Sequence, residues 1–119
     1  MVSQVNGKWG TAREVPGTAA LNTGASSAAI VSVSVSCRSA GNCSAGGDYT
    51  DSTGHRQVFV VSQVNGTWGK AIEVPGTATL NTSRAEIKSV SCGSAGNCSA
   101  GGYYTDSSGH GQAFVASQT

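Results

Sequence analysis

The chain repeats itself along most of its length, and this repeat limits the possible folds more than any other feature of the sequence. Residues 2–23 match residues 61–82 at 18 of 22 positions. Residues 34–63 match residues 89–118 at 24 of 30 positions. Self-similarity at this period predicts two copies of one supersecondary unit.

The two copies differ in length in one segment. Residues 24–33 of the first copy correspond to the shorter stretch 83–88 of the second copy. Surface loops tolerate such length changes, so we expect a loop there. The identity elsewhere is high enough that we expect both copies to have the same role.

The composition favours short strands and tight turns. The 119 residues suffice for one domain and include 17 glycines but only two prolines, with abundant Ser, Thr, Ala and Val. Helix-forming residues are scarce, so we expect little or no helix.

The charge and hydropathy of the sequence exclude two classes of partner. Charged residues make up 11% of the chain and the net charge is +1, which gives no electrostatic reason for binding nucleic acid or an anionic membrane. No apolar run approaches the length of a membrane span. Residues 1–20 show no signal peptide, so we expect any export leader to have been removed or to lie outside this sequence.

Each repeat contains four predicted strands. SVSVSC alternates with period two, and QVFVVSQV is apolar on both faces, as in a strand covered on both sides. In the first repeat and its continuation the predicted strands are residues 32–37, 43–50, 57–64 and 67–74.

The segments between these strands have the chemistry of tight turns. Asn65-Gly66, like Asn6-Gly7, favours a type I′ hairpin turn because both residues tolerate positive φ. Asp51 and Gly54 suit the turn between the second and third strands. Each unit is therefore predicted to be a four-stranded antiparallel meander.

A repeated four-stranded meander with two apolar faces matches the blade of a β-propeller. We therefore predict an all-β fold with one unit over residues 1–119, in which the first blade spans about 5–63 and the second about 64–118. Two blades cover only the faces between them, so the outer faces require further blades.

The ends of the sequence predict how copies of the chain would join. The chain starts and stops inside the third strand of a unit, so the N-terminal strand, residues 5–16, is expected to complete the last blade of a neighbouring chain. Head-to-tail contacts of this kind close into a ring if the rotation between copies allows it. We favour a homotrimer with six blades, and a dimer or tetramer is also possible. The Ser-Gln pairs at 3–4 and 117–118 would compete for one strand position, so one of them should fray.

The repeat resembles those of highly repetitive bacterial β-propellers, in particular secreted, actinobacterial-type proteins. The resemblance rests on the stretches VSQVNGTWGKAIEVPGTATLN, residues 61–81, and SVSCGSAGNCSAGGYYTDSSGHGQAF, residues 89–114, and it covers essentially the whole chain. It implies a propeller fold and an extracellular location. It implies no activity.

Four cysteines form two pairs with C-x5-C spacing. Cys37 and Cys43, like Cys92 and Cys98, flank the turn between the first and second strands. Two disulfides are our first interpretation and would indicate an oxidising compartment. Buried free thiols are the alternative, whereas the spacing does not match the usual zinc motifs. We predict no metal and no cofactor.

Four large aromatic residues are predicted to pack between blades, because aromatic side chains dominate such interfaces. An alternative for the tryptophans is a sugar-binding surface. The residues are Trp9, Trp68, Phe59 and Phe114.

A second aromatic group lies near the acidic turns. Tyrosine beside aspartate on an exposed loop is a common way to bind a sugar, and a structural role in the turn is the alternative. The candidate ligand-binding residues are Tyr49, Asp51, Tyr103, Tyr104 and Asp106.

The histidines do not predict an enzyme. His55 and His110 follow Ser/Thr-Gly turns, and every unit carries nearly the same Ser, His and Asp residues, so no single nucleophile is distinguished. The D-S-[ST]-G-H turn is similar to the Asp-box of sialidase propellers, with a spacing that differs by one residue. We interpret it as structural and predict no catalytic residue.

Two functions from different classes follow. The first is a non-catalytic structural propeller whose chains associate with one another. The second is a multivalent, lectin-like module with one weak glycan site per blade, in which repetition raises the overall affinity.

Overall fold

The computed structural model describes residues 2–24 and 33–118, and it shows an all-β chain built from antiparallel sheets. The first residue of the predicted strand 32–37 lies outside the described residues. Most of the variable segment 24–33 also lies outside them. The strands are β1 Gln4–Val5, β2 Lys8–Trp9, β3 Val33–Ser39, β4 Asn42–Thr50, β5 Arg56–Val64, β6 Thr67–Trp68, β7 Ile72–Glu73, β8 Glu86–Ser94, β9 Asn97–Thr105 and β10 Gly111–Ser117.

The first sheet is the predicted meander. Its strand order is β3-β4-β5-β6, and β7 also pairs with β5. The predicted fourth strand, 67–74, is thus two short strands separated by residues 69–71, because Val64 pairs with Thr67 at the hairpin and Val60 pairs with Ile72 further along. The predicted antiparallel arrangement of this unit is confirmed, whereas the prediction of one continuous fourth strand is wrong.

The second sheet has three strands, in the order β10-β9-β8. Its register repeats that of the first sheet, since Cys92 pairs with Cys98 as Cys37 pairs with Cys43. Among the described residues, no strand pairs with the outer edge of β10, where the first sheet has β6 and β7.

The N-terminal residues form a separate two-stranded hairpin, β1–β2, in which Gln4 pairs with Trp9. Asn6 and Gly7 have φ of 49° and 77°, as the I′ prediction requires. Within the predicted N-terminal strand 5–16, only Val5 and Lys8–Trp9 are in strand conformation.

Two single-turn helices, α1 Thr18–Leu21 and α2 Thr77–Leu80, occupy the same position in each repeat. Each follows a glycine with φ of 88°, Gly17 or Gly76, a conformation that favours glycine. Among the described residues no helix is long and apolar enough to cross a membrane. The prediction of little helix is confirmed.

The main core lies between the two sheets. Strand β8 crosses the face of the first sheet and contacts β3, β4 and β5. Ile87 and Val90 on β8 pack with Val58 and with the partly buried Val60 on β5. They come so close to Gly46 that a methyl group there would lie 2.9 Å from Ile87 Cδ1.

A second core covers the opposite face of the first sheet. Phe59 and Val61 are buried there with Ala71, and the chain's own N-terminal segment lies over them through Val15 and Leu21. Both faces of β5 are therefore covered, as its apolar sequence predicts.

Both predicted disulfides are present, Cys37–Cys43 and Cys92–Cys98. Each joins adjacent strands directly across the ladder. Two disulfides are typical of proteins outside the cytoplasm, in an oxidising compartment.

Candidate self-association surface

The two sheets carry apolar residues at matching positions, and several that are buried in one copy are exposed in the other. Val90 on β8 is 8% exposed, whereas the matching Val35 on β3 is 61% exposed. Ile87 and Val33 also occupy matching positions, because Ile87 pairs with Gly102 and Val33 pairs with the equivalent Gly47. Ile87 is fully buried, whereas Val33 is 56% exposed. We call the exposed surface of Val33 and Val35 the β3 face.

The same contrast holds for the opposite side of the unit. Val60 on β5 is partly buried against the core between the sheets. The matching Val115 on β10 is 84% exposed. We call the exposed surface around Val115 and Ala113 the β10 face.

The two exposed faces correspond to the two sides of the contact between the sheets. Inside the chain, Val90 and Val60 belong to one core cluster. The β3 face carries the counterpart of Val90, and the β10 face carries the counterpart of Val60. The surface that packs between the sheets is therefore present a second time, divided between the two outer faces of the chain.

The two disulfides show the same contrast between a covered copy and an exposed copy. Cys98 Sγ lies 3.2 Å from Ser44 Oγ of the first sheet, and Cys92 Sγ lies 3.8 Å from the carbonyl oxygen of Ser36. The second disulfide thus contacts Ser36 and Ser44 of the first sheet. Cys37, its counterpart on the β3 face, is exposed.

The predicted inter-blade aromatics are placed unequally. Phe59 is fully buried and Trp68 packs on the same core. Phe114 is partly buried against the core between the sheets. Trp9 is 68% exposed at the open end of the N-terminal hairpin, where it pairs with Gln4.

Tyr49, a candidate ligand-binding residue, lies inside the first sheet. Its hydroxyl donates a 2.7 Å hydrogen bond to Glu73 Oε2, and its ring meets Phe59 with the centroids 6.5 Å apart. Burial, together with the carboxylate of Glu73, raises the pKa of Tyr49 well above its usual value. The ring is covered in this chain and offers no surface for stacking a sugar.

Asp51 and Asp106 organise equivalent turns. Asp51 Oδ1 accepts hydrogen bonds from the backbone N–H groups of Thr53 and His55, and Oδ2 accepts one from Gln57. Burial alone would raise the pKa of Asp51, but the hydrogen bonds from the Thr53 hydroxyl, from Gln57 and from the backbone outweigh it and lower the pKa.

In the second turn, Asp106 receives the same three bonds, from Ser108, His110 and Gln112. The Gln112 bond is the largest cause of the lowered pKa of Asp106. Both carboxylates are used within their own loops, which favours the structural interpretation of these residues and of the two histidines.

Tyr103 and Tyr104 remain partly exposed. Tyr104 packs on the core between the sheets, and Lys88 Nζ lies 5.5 Å from the centre of the Tyr103 ring. The structure therefore places Tyr49 in one sheet and Tyr103 and Tyr104 in the other.

A charged cluster that the sequence analysis missed lies beside Tyr103. Glu86 is buried, and its carboxylate accepts hydrogen bonds from Lys88 Nζ at 2.7 Å and from Arg84. Arg56 of the first sheet reaches the same carboxylate at 3.4 Å. The hydrogen bond from Lys88, followed by that from Arg84, lowers the pKa of Glu86 to about 2.

The sequence did contain a signal for this cluster. Arg56 stands where the other repeat has Gly111, and Glu86 and Lys88 lie in the segment that differs between the repeats. Positions where near-identical copies differ are therefore informative here.

No family model, curated protein or solved structure matches this chain.

Proposed function

We propose that this chain is a non-catalytic structural unit of a secreted β-propeller, and that its copies associate head to tail into a closed ring. The observation that supports the proposal is the burial contrast between matching valines. Val90 and Val60 share a core within the chain, while Val35 and Val115, in the same positions of the other repeat, are exposed.

The exposed faces fit a second copy better than an unrelated partner. The β3 face of one copy has the residues that Val115 of another copy would meet if the internal contact were repeated. Burial of such apolar surface is favourable by about 25 cal/mol per Å². The contact joins two different faces, so it is heterologous and closes only when the rotation per unit allows it.

Three copies would give six blades, within the usual range for closed propellers. We expect light scattering to give a mass about three times the 11.8 kDa of the chain. A well-folded single chain at every concentration would contradict the proposal.

Two charge substitutions test whether the contact is head to tail. Val35→Asp removes the β3 face and Val115→Asp removes the β10 face, so each variant alone should stay monomeric. A mixture of the two variants should form a heterodimer, because each supplies the face that the other has lost. If either variant dimerises alone, the contact joins like faces and the proposed ring is wrong.

A suitable control is Ser52→Asp, at an exposed position of the turn between β4 and β5 that belongs to neither face. This variant should assemble like the parent chain.

The second candidate function is multivalent glycan binding, with a weak site in each unit. It draws on the partial exposure of Tyr103 and Tyr104 in the second sheet. A glycan array followed by titration of Tyr103→Ala tests it. Binding that the substitution abolishes would support this function, and a flat array would rule it out.

A further inference from the structure

A cavity of about 520 Å³ lies between the two sheets, beside the outer edge of β10. Pockets of roughly 300–1,000 Å³ are typical of sites that enclose a ligand. The walls are mostly apolar, and Ile72 in the wall is more than half exposed. The lining includes Val60, Ile72, Val74, Pro75, Ala100 and Ala116.

The first unit shows what belongs in such a place. Ala45 and Val61 of the first sheet match Ala100 and Ala116 in the cavity wall. There, Trp68 and Ala71 pack with them in one core. The residues that fill this position in the first unit are thus those that follow its third strand.

The opposite wall also has its counterpart in the first unit. Val15 packs on the core of the first sheet, and the carbonyl oxygen of Pro16 accepts a 2.7 Å hydrogen bond from the N–H of Ala71. Val74 and Pro75 are the matching residues in the cavity wall. The cavity thus has both walls of a site whose filling is known from the other repeat.

The matching filling residues exist in the chain, but they lie elsewhere. Trp9 and Ala12 match Trp68 and Ala71 in the repeat. Both are exposed in the N-terminal segment, where Trp9 pairs with Gln4 in the β1–β2 hairpin.

We propose that this cavity binds residues 8–15 of a second copy, with Trp9 in the position that Trp68 has in the first unit. The N–H of Ala12 would donate to the carbonyl oxygen of Pro75, and Arg13 and Glu14 would pair with Val115 and Phe114. This proposal rests on the proposed self-association and names the residues that complete it.

The same register gives Tyr104 a partner. In the first unit, Phe59 pairs with Glu73, and Glu73 accepts the hydrogen bond of Tyr49. Glu14 of the second copy would accept the equivalent bond from Tyr104. The partial exposure of Tyr104 in the single chain then results from the absence of this strand.

The exchange conserves backbone hydrogen bonds. In the hairpin, the N–H of Gly10 donates to the carbonyl oxygen of Ser3 at 2.8 Å, as the N–H of Gly69 donates to Ser62 at 2.9 Å. Ser117 matches Ser3 and Ser62, so it offers Gly10 the same acceptor. The gain on exchange is the burial of Trp9, because aromatic side chains bury large areas.

The two ends compete for this position, and the structure shows which end is held. The N–H of Gln118 donates to the carbonyl oxygen of Cys98 at 2.7 Å, and its side chain donates to Ser62 Oγ at 3.1 Å. The matching Gln4 is exposed and pairs with Trp9 in the hairpin. Strand β1 is therefore the segment that leaves when β2 pairs with β10 of a second copy.

Tryptophan fluorescence with Trp9 as the sole reporter tests the proposal. The variant Trp68→Phe should show an exposed, readily quenched Trp9 in dilute solution and a blue-shifted, protected Trp9 where light scattering shows assembly. The matched control is Trp9→Phe, in which Trp68 should be protected at every concentration.

The outcomes separate the two proposals. Assembly with Trp9 still open to quencher would overturn the cavity proposal and leave head-to-tail association standing. An absence of assembly at every concentration, also in the parent chain, would overturn both. Protection of Trp9 on assembly supports both.

A pair of neighbouring substitutions tests the depth of insertion. Ala12→Glu places a charge against the apolar cavity and should weaken association by about tenfold or more. Thr11→Glu should have little effect, because the matching Lys70 is exposed in the first unit. Equal association of the two variants would contradict the proposed register.

Deletion of residues 2–5 tests the competition between the ends. Removal of β1 eliminates the internal partner of Trp9, so the truncated chain should associate more tightly than the parent. Unchanged or weaker association would show that β1 is not the competing strand.

Discussion

The two sheets of this chain have nearly the same sequence and differ in what covers them. Val60 faces a second sheet while Val115 faces solvent, although both follow the same phenylalanine in the same strand of the repeat. Val90 and Val35 differ in the same way on the opposite face. Burial is therefore determined by the neighbouring unit, and an apolar residue in one repeat predicts only that a neighbour is required.

The largest effect expected from this difference is at Ile87. Truncation of this fully buried side chain by Ile87→Ala should lower the free energy of unfolding by about 2–5 kcal/mol. Val33→Ala, at the matching position of the β3 face, should change it by less than about 0.5 kcal/mol. Urea unfolding at concentrations where the chains are monomeric measures both.

The Val33→Ala variant should instead weaken association, since the β3 face is buried only between copies. If Val33→Ala destabilises the monomer as strongly as Ile87→Ala does, the contrast between the faces does not exist in solution.

The next effect concerns two matching glycines. A methyl group at Gly46 would lie 2.9 Å from Ile87 Cδ1 and 3.2 Å from Val90 Cγ2, so Gly46→Ala should cost about 1–3 kcal/mol through overpacking. At Gly101 the nearest atoms would be 3.8 Å and 3.9 Å away, so Gly101→Ala should leave the monomer unchanged. Thermal and urea unfolding of the two variants give the comparison.

Association gives the second half of this test. A docked copy would place Val33 and Val35 over Gly101, as Ile87 and Val90 lie over Gly46. Gly101→Ala should then weaken assembly without affecting folding. Normal assembly of this variant would argue that the β10 face meets something other than the β3 face.

Local chemistry made much of this fold predictable from the sequence. Asn6-Gly7 and Asn65-Gly66 determine their hairpins through positive φ, and the C-x5-C spacing predicted cysteines that face each other across adjacent strands. These features depend on neighbours in the sequence, so the residues alone reveal them.

Features that depend on distant contacts were less predictable. The extra residue Lys88 in β8 shifts the register between Ile87 and Ser89, and no local pattern indicates it. The break between β6 and β7 was also missed. The cluster around Glu86 combines residues from both sheets, so only the packed structure brings Arg56 to it.

A smaller effect is expected from acid, because Glu86 belongs to the buried interface. Its folded-state pKa of about 2 lies below its unfolded value near 4.5, so its stabilising contribution is present above pH 4.5 and is lost as the pH falls toward 2. Since Lys88 and Arg84 are half exposed, we expect about 1–2 kcal/mol. Urea unfolding from pH 5 to pH 2 measures this loss.

The variant Glu86→Gln isolates this contribution from other carboxylates such as Asp51 and Asp106, whose pKa values are also lowered. The stability of this variant should fall less between pH 5 and pH 2 than that of the parent chain. Parallel pH profiles for the two proteins would show that the cluster contributes nothing to folding.

The smallest change in stability is expected at a position where the two repeats should behave alike. The carboxylates of Asp51 and Asp106 accept the same backbone hydrogen bonds from their own turns, so we expect them to depend little on a neighbouring sheet. Asp51→Asn should cost about 1 kcal/mol, through loss of charge-assisted hydrogen bonds to the backbone, and Asp106→Asn should be destabilising for the same reason. Thr53 Oγ1 adds a 2.6 Å bond to Asp51, so the first variant should be slightly less stable. A large difference between the two, measured by urea unfolding of the monomers, would mean that the surrounding units influence even these local turns.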